Sequence, residues 1–403
     1  MIKIVRIVTR MNIGGPSLHV ALLTNHLDPV KFSTTLIVGP AEPEEGSRQA
    51  WIEKGPAKLF QVSCLRRAIH PWLDLQAFWN IARLLFREQP RVIHTHMAKA
   101  GTLGRLAGIA YNRWGPGRKS GEKALLIHTF HGHVLEGYFP PLISRMFVAM
   151  ERWLSRRTDC LIAVSPTVRN EILAKGIGSK ERWRVIPLGI DLSQLRHLPI
   201  SNGSAPLRCG LVGRLVPIKN PALFLKALRQ VALRHPKNFI SAEIVGDGPL
   251  RAEMEEIARN FGLGEQVAFR GWQEKTEACY RNLDVVCVTS HNEGTPVSLI
   301  EAMAAGRVAV STAVGGVGDL LGRRENQEIP SGSFQVGERG LLVQDGDAKG
   351  LAAALEALVQ DPTLRKRLAE NGRIYVAERY GHARLLQDVS ELYDRLGNTG
   401  GIE

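Results

Sequence analysis

Two carboxylates, Glu293 and Glu301, stand eight residues apart within the stretch 285–306. That stretch opens on Val285-Val286-Cys287-Val288, an apolar β-branched run that reads as a buried strand. A polar turn containing Gly294 and Pro296 follows, and then a helix over 297–305 closed by Gly306. A strand feeding a helix through a tight loop leaves backbone N–H groups unpaired at the helix start. Those donors, with the helix dipole, favour an anion. Two acids beside an anion repel it unless they meet its neutral parts. A nucleotide sugar has such parts, with hexose hydroxyls on one side of the diphosphate and ribose hydroxyls on the other. The competing reading is an acidic turn and an ordinary surface glutamate, which the spacing alone does not exclude.

A second constellation lies upstream. Gly213-Arg214-Leu215-Val216-Pro217-Ile218-Lys219-Asn220 follows an apolar run and precedes a helical pattern. Gly213 lets backbone approach a ligand closely. Arg214 and Lys219 offer a planar fork and a point charge to phosphate oxygens. Taken singly they are two solvated cations beside a turn; taken with the glutamates they complete a diphosphate clamp. In the first half of the chain, Gly14-Gly15, His96 and His131 all fall at the carboxyl ends of expected strands. His94 and His96, on one strand, are expected to point to opposite faces, one into the core and His96 towards ligand. Lys99 is either an acceptor-phosphate contact or a plain surface lysine. The remaining Asp-x-Asp, Asp345-Gly346-Asp347, reads as turn chemistry, and no metal site is expected.

These residues need elements to hold them. At 403 residues the chain predicts two domains. Short apolar strands alternate with helices at 2–8, 34–38, 91–96, 125–130, 160–165 and 184–187. The pattern resumes at 207–214, 241–245, 266–270, 285–288 and 308–312. Such alternation predicts parallel sheets covered by helices on both faces, with ligands beyond the strand carboxyl ends. The polar segment 201–206 is the linker candidate. The last amphipathic helix is expected over 382–396.

Composition narrows the class. Residues 1–200 carry 28 Lys/Arg against 14 Asp/Glu, whereas 201–403 carry 24 against 25, so the net charge of +13 belongs to the first half. A basic face suits anionic lipid head groups, a lipid-linked phosphate or nucleic acid. Neither zinc-finger spacing nor an aromatic-basic RNA motif occurs, so nucleic acid is not expected. The segment 145–157 is basic and apolar at helical spacing, which suits either a membrane surface or packing on the sheet. No apolar run reaches the roughly 18 residues that span a bilayer. The N-terminus reads as a first strand rather than a signal peptide. Five scattered cysteines without Cys-x-x-Cys suggest reduced thiols in a cytoplasmic protein.

Gly-Arg-x4-Lys-Asn at 213–220 followed by Glu-x7-Glu at 293–301, with Gly14-Gly15 and Thr129-Phe130-His131-Gly132 upstream, resembles the family 4 glycosyltransferases. The segments 185–191 and 245–250 also fit, so the resemblance spans almost the whole chain. It implies a GT-B fold, α/β, of two Rossmann-like parallel-sheet domains facing a central cleft. The acceptor domain would be 1–200 plus 381–403, with the last helix crossing back to it, and the nucleotide-sugar domain 201–380. It also implies that Arg214 and Lys219 bind the donor diphosphate, Glu301 the ribose and Glu293 the donor sugar. Gly15, Gly213 and the loop Gly294, Thr295, Pro296 and Val297 would lie along the donor. His131 matches the active-site histidine, with His133 an open alternative; independently of the resemblance, His96 and Lys99 are the candidates to meet the acceptor. The implied activity is retaining, metal-independent transfer of a hexose from a UDP-sugar to a lipid-linked or growing glycan in bacterial polysaccharide assembly, with no cofactor. A sugar-nucleotide epimerase and a non-catalytic nucleotide-sugar-binding subunit are the alternatives. A dinucleotide-binding dehydrogenase would need Gly-x-Gly-x-x-Gly after the first strand, which Gly14-Gly15-Pro16 does not supply.

Overall fold

The computed structural model describes residues 1–12, 14–41, 49–116, 123–132, 141–201, 206–236, 239–273, 275–323 and 327–399. The chain divides into two compact units, Met1–Ile190 with His382–Glu403, and Asp191–Gly381. In the first unit seven strands form one sheet: β1 (Ile2–Val8), β2 (Phe32–Val38), β3 (Lys58–Gln61), β4 (Val92–His96), β5 (Leu125–Phe130), β6 (Cys160–Ala163) and β7 (Trp183–Val185). Their order is β3-β2-β1-β4-β5-β6-β7, and every neighbouring pair is parallel. β4 and β5 are buried along their whole length, as strands covered on both faces must be. Alternate residues feed two cores: Val5 and Ile7 pack with Ile81 and Ala107, while Ile4 packs with Leu23 and Ile127.

The second core is closed by the last helix, His382–Thr399. It buries Leu385, Val389, Leu392, Tyr393 and Leu396, the three- and four-residue spacing of one helical face. Its start is tied to the end of the unit's main segment: His382 N–H donates to Ile190 O (3.1 Å) and Arg384 Nη2 to Leu188 O (2.6 Å). Inside, the buried Arg6 guanidinium donates to Leu23 O and to the Tyr393 hydroxyl, both at 3.0 Å.

The second unit repeats the plan with β8 (Leu207–Val212), β9 (Ile240–Val245), β10 (Val267–Gly271), β11 (Val285–Val288), β12 (Val308–Thr312), β13 (Gln335–Val336) and β14 (Gly340–Val343). The order is β10-β9-β8-β11-β12-β14-β13. Only the edge pair β13–β14 is antiparallel among the described strands. Among the described residues no helix is long and apolar enough to cross a membrane, and all five cysteines are free.

Three expectations differ from the structure. The boundary expected after residue 200 falls after Ile190. Residues 191–200 are held to the second unit, where Arg373 Nη2 donates to Leu198 O (2.6 Å) and Ile200 packs on the core. His94 and His96 share a face, because side chains two apart on a strand point the same way; their rings stack at 4.2 Å. The sequence pass also overlooked β3, β14 and the helix Pro71–Glu88. That helix carries apolar residues on its outer side as well as its inner one, which blurs the periodic signal.

Arg105 and Glu151 join the helices Ala98–Trp114 and Pro141–Ser155 through a buried two-pronged ion pair, Nη2 lying 2.6 and 2.8 Å from the two carboxylate oxygens. Removing one partner strands a buried charge. Glu151→Ala should therefore lower unfolding free energy by roughly 3–5 kcal/mol, and the double replacement Arg105→Met with Glu151→Leu by much less. Denaturant unfolding of the three proteins checks this, and equal losses would contradict it.

Candidate functional site

In the second unit the strand order changes direction between β8 and β11: β8 leads to β9 and β10, and β11 leads the opposite way to β12. Loops beyond the carboxyl ends of two such strands diverge and leave room for a ligand. Residues 213–220 follow β8, and residues 289–296 follow β11. Gly213 has φ 154°, and a Cβ on Gly246 would collide with the Gly213 carbonyl, so both positions require glycine. The two loops are bonded to each other: Thr289 Oγ1 donates to Lys219 O and His291 N–H to Ile218 O, each at 2.9 Å.

Lys219 and Glu293 meet directly. Lys219 Nζ donates to Glu293 Oε1 at 2.5 Å, and Ser290 Oγ donates to the same oxygen at 2.6 Å. The Glu293 backbone is fixed as well, since Gly316 N–H donates to its carbonyl (3.3 Å). Arg214 lies half-buried just past β8. The helix Val297–Ala304 begins at Pro296 without any side-chain cap. Beside it, Thr295 is 6% exposed and its hydroxyl has no hydrogen-bond partner. A bare helix start and a buried unpaired hydroxyl in one loop are donors awaiting an acceptor. Gly294 and Pro296 are buried and Val297 half-buried around them. Glu301 accepts from the Tyr280 hydroxyl at 2.6 Å. Burial, and then the Glu301 charge, push the Tyr280 phenol well up, so it stays a donor.

The Asp-x-Asp pair serves the loop. Asp347 caps the helix Ala348–Gln360, accepting from Lys349 N–H (3.1 Å) and Gly350 N–H (2.9 Å), and Asp345 accepts from His291 Nδ1 at 2.9 Å.

In the first unit the same change of direction falls between β1 and β4. The loop after β1 leads into the helix Gly15–His26, where Gly14 stands at the N-cap without a side-chain bond and Gly15 is half-buried. His96 ends β4 and His131 follows β5, and β4 and β5 are neighbours. His96 Nδ1 and His131 Nε2 share a hydrogen bond of 3.1 Å. His19, from the helix Gly15–His26, closes on both, its ring centroid 4.9 Å from His131 and 5.8 Å from His96. Behind them, His94 bonds the Tyr393 hydroxyl through Nδ1 and Thr129 Oγ1 through Nε2, both at 2.7 Å. Arg6 also donates to the Tyr393 oxygen, so Arg6, Tyr393, His94 and Thr129 form one hydrogen-bonded chain. One nitrogen each of His19, His96 and His131 is buried without a partner.

Burial sets the chemistry of this cluster. It pulls the His131 pKa down to about 3. Burial first, then repulsion from neighbouring imidazoles and Arg6, holds His19, His94 and His96 well below the ordinary value. The cluster is therefore a set of neutral hydrogen-bonding rings.

Of the expected site residues, the structure gathers Gly213, Lys219 and Glu293 in the second unit and His96 with His131 in the first. The Lys99 ammonium pairs with Asp74 Oδ1 at 2.5 Å and also donates to Ala68 O. It stands half-buried in the first turn of the helix Ala98–Trp114. His133 lies outside the described residues. Sequence reasoning missed His19, Tyr280 and Ser290. A histidine amid the apolar residues 18–23 was the available signal for His19; Tyr280 and Ser290 carried none.

Both units match models of known protein families. Residues 13–194 match the model for Glycosyltransferase Family 4, and residues 206–375 match that for Glycosyl transferases group 1. HepE from Anabaena, solved with UDP-glucose, aligns with TM-score 0.75 at 19% identity over 98% of this chain and 100% of that one. Sucrose-phosphate synthase from Thermosynechococcus elongatus aligns with TM-score 0.75 at 21% identity over 99% and 100%. The fold and its two matched halves define a GT-B glycosyltransferase. Within that class the chain belongs to the family 4 glycosyltransferases. Among relatives, the Escherichia coli UDP-Gal:alpha-D-GlcNAc-diphosphoundecaprenol alpha-1,3-galactosyltransferase is 23% identical over 347 residues, 83% of each chain.

The histidines make stability depend on pH. His19, His94, His96, His128 and His131 are all lowered in the fold. In the unfolded chain each takes a proton near pH 6.5, so the unfolded state binds more protons as pH falls. Stability is full above about pH 7 and drops below about 6.5, by up to roughly 1.4 kcal/mol per pH unit for each histidine. Thermal melts between about pH 7.5 and 5 should show the loss; a flat melting temperature would contradict the neutral cluster.

Proposed function

We propose that this protein is a retaining glycosyltransferase that moves a hexose from a UDP-sugar to a lipid-linked or growing glycan acceptor. The second unit holds the donor and the first the acceptor. The observation that carries the reading is the Lys219–Glu293 pair set beside the uncapped helix start with its unpaired Thr295 hydroxyl. UDP is favoured by HepE's complexes with UDP and UDP-glucose, and a lipid-linked acceptor by the name of the E. coli relative.

Departure of UDP concentrates negative charge on the β-phosphate. Fixed donors aimed there lower the barrier most, because they need no reorganisation as charge develops. Arg214, Lys219 and the backbone N–H groups of Gly294, Thr295 and Val297 are those donors, Glu301 receives the ribose hydroxyls and Glu293 a sugar hydroxyl. This cationic clamp takes the neutralising role that a metal ion has in other sugar transferases, so transfer is metal-independent. The leaving phosphate accepts the acceptor's proton on the face from which the sugar leaves, which retains configuration. A pKa of about 3 makes His131 a poor base at neutral pH, and the role assigned to it is orienting a sugar hydroxyl. The enzyme works in the cytoplasm, attached peripherally at the inner face of the membrane, in assembly of a cell-envelope polysaccharide.

Glu293→Ala and Lys219→Ala should each reduce transfer at least about 100-fold, with circular dichroism unchanged. Full activity in either removes that residue from the site. Chelator should leave turnover unaltered, and dependence on added metal would refute the clamp. UDP and UDP-sugars, rather than GDP or NAD, should raise the melting temperature, by about 2.7 kcal/mol of stabilisation at a hundredfold excess over Kd. UDP release without any acceptor would instead indicate the epimerase.

A further inference from the structure

Three helices of the first unit form one layer. Pro71–Glu88 links β3 to β4, Ala98–Trp114 links β4 to β5, and Pro141–Ser155 precedes β6 after β5. All three steps run the same way across the sheet, and right-handed crossovers therefore place these helices on the same face. They are joined side by side through Lys99–Asp74 (2.5 Å), the Phe86–Tyr111 ring contact (5.5 Å between centroids) and Arg105–Glu151 (2.6 Å).

The outer side of this layer is apolar where a helix surface is ordinarily polar. Trp72, Leu75 and Trp79 are spaced three and four apart, so they form one stripe, and the two tryptophans are 64% and 63% exposed. On Pro141–Ser155 the residues Leu142, Met146 and Trp153 form a second stripe, the first two 71% and 66% exposed. Exposed arginines flank both, among them Arg83, Arg145 and Arg156. Arg157 lies over the Trp153 ring at 3.9 Å. The three helices hold only three acids, and each is engaged: Asp74 with Lys99, Glu88 with Lys58 (3.4 Å) and Glu151 with Arg105.

We infer that this tryptophan- and arginine-bearing layer is the surface by which the protein docks on an anionic lipid bilayer. Indole rings favour the head-group level, where one edge is apolar and the other wet. Arginines beside them meet lipid phosphates, and no carboxylate on these helices is left to repel them. A second copy of the chain fits the face poorly, because a two-fold contact would set the same arginines against each other. The proposal deepens the peripheral attachment included in the reading above and does not depend on the transfer chemistry.

The test is flotation of the full chain with vesicles of phosphatidylcholine alone or mixed with phosphatidylglycerol. The protein should float with the mixed vesicles only, and less as salt rises. Trp72→Ser with Trp79→Ser, and separately Arg145→Glu with Arg156→Glu, should each cut the bound fraction's partition coefficient by roughly tenfold or more. Circular dichroism and affinity for UDP should stay as in the wild type, so that a folding defect or a wrong donor assignment is read separately. Wild-type protein that stays in the aqueous phase with mixed vesicles overturns the proposal, as do variants that bind undiminished. A wild-type dimer in sedimentation that either double variant dissolves assigns the face to a second copy and equally overturns it.

Discussion

A parallel strand cannot be joined to its neighbour by a tight turn; the chain must cross back over the sheet, usually as a helix. That constraint governs both units. Each crossover delivers its loop to the same edge, the one beyond the strand carboxyl ends. Where the crossovers change direction, between β1 and β4 and between β8 and β11, the loops part. The histidine cluster sits at the first of these points and the Lys219–Glu293 pair at the second. The site residues therefore come together as a consequence of sheet order.

The two points solve the problem of polar groups near a core in different ways. In the first unit the rings are neutral and, but for the half-buried His131, buried; they are tied into a chain that runs from Arg6 through Tyr393 to His94, whose ring stacks on His96, which in turn bonds His131. In the second unit the polar groups remain ionic and only partly covered, with the side chains of Lys219 and Glu293 31% and 10% exposed. The first arrangement suits hydrogen bonding to hydroxyls without charge. The second suits a ligand that carries its own negative charge.

Much of this was legible in one dimension. The strand–helix alternation announced parallel sheets, and Gly213, Lys219, Glu293 and the loop at 294–297 stood out through glycine, proline and charge at a strand-to-helix junction. Less legible were elements whose pattern is weak. β3 is four residues long at a sheet edge, and the helix Pro71–Glu88 is apolar on both sides. The domain boundary also went astray, because polar composition marked 201–206 whereas packing binds 191–200 to the second unit.

Local chemistry by itself determined where strands, turns and helix starts fall, and which charges flank them, since propensity and spacing act over a few residues. Tertiary packing alone decided which side chains meet. Lys99 gained Asp74, from the helix that follows β3, and Glu301 acquired Tyr280. His19 joined His96 and His131 from a separate helix, and Tyr393 reached His94 from 299 residues away. Such pairings depend on strand order and helix docking, which bring distant segments within bonding range and leave no periodic trace in the chain.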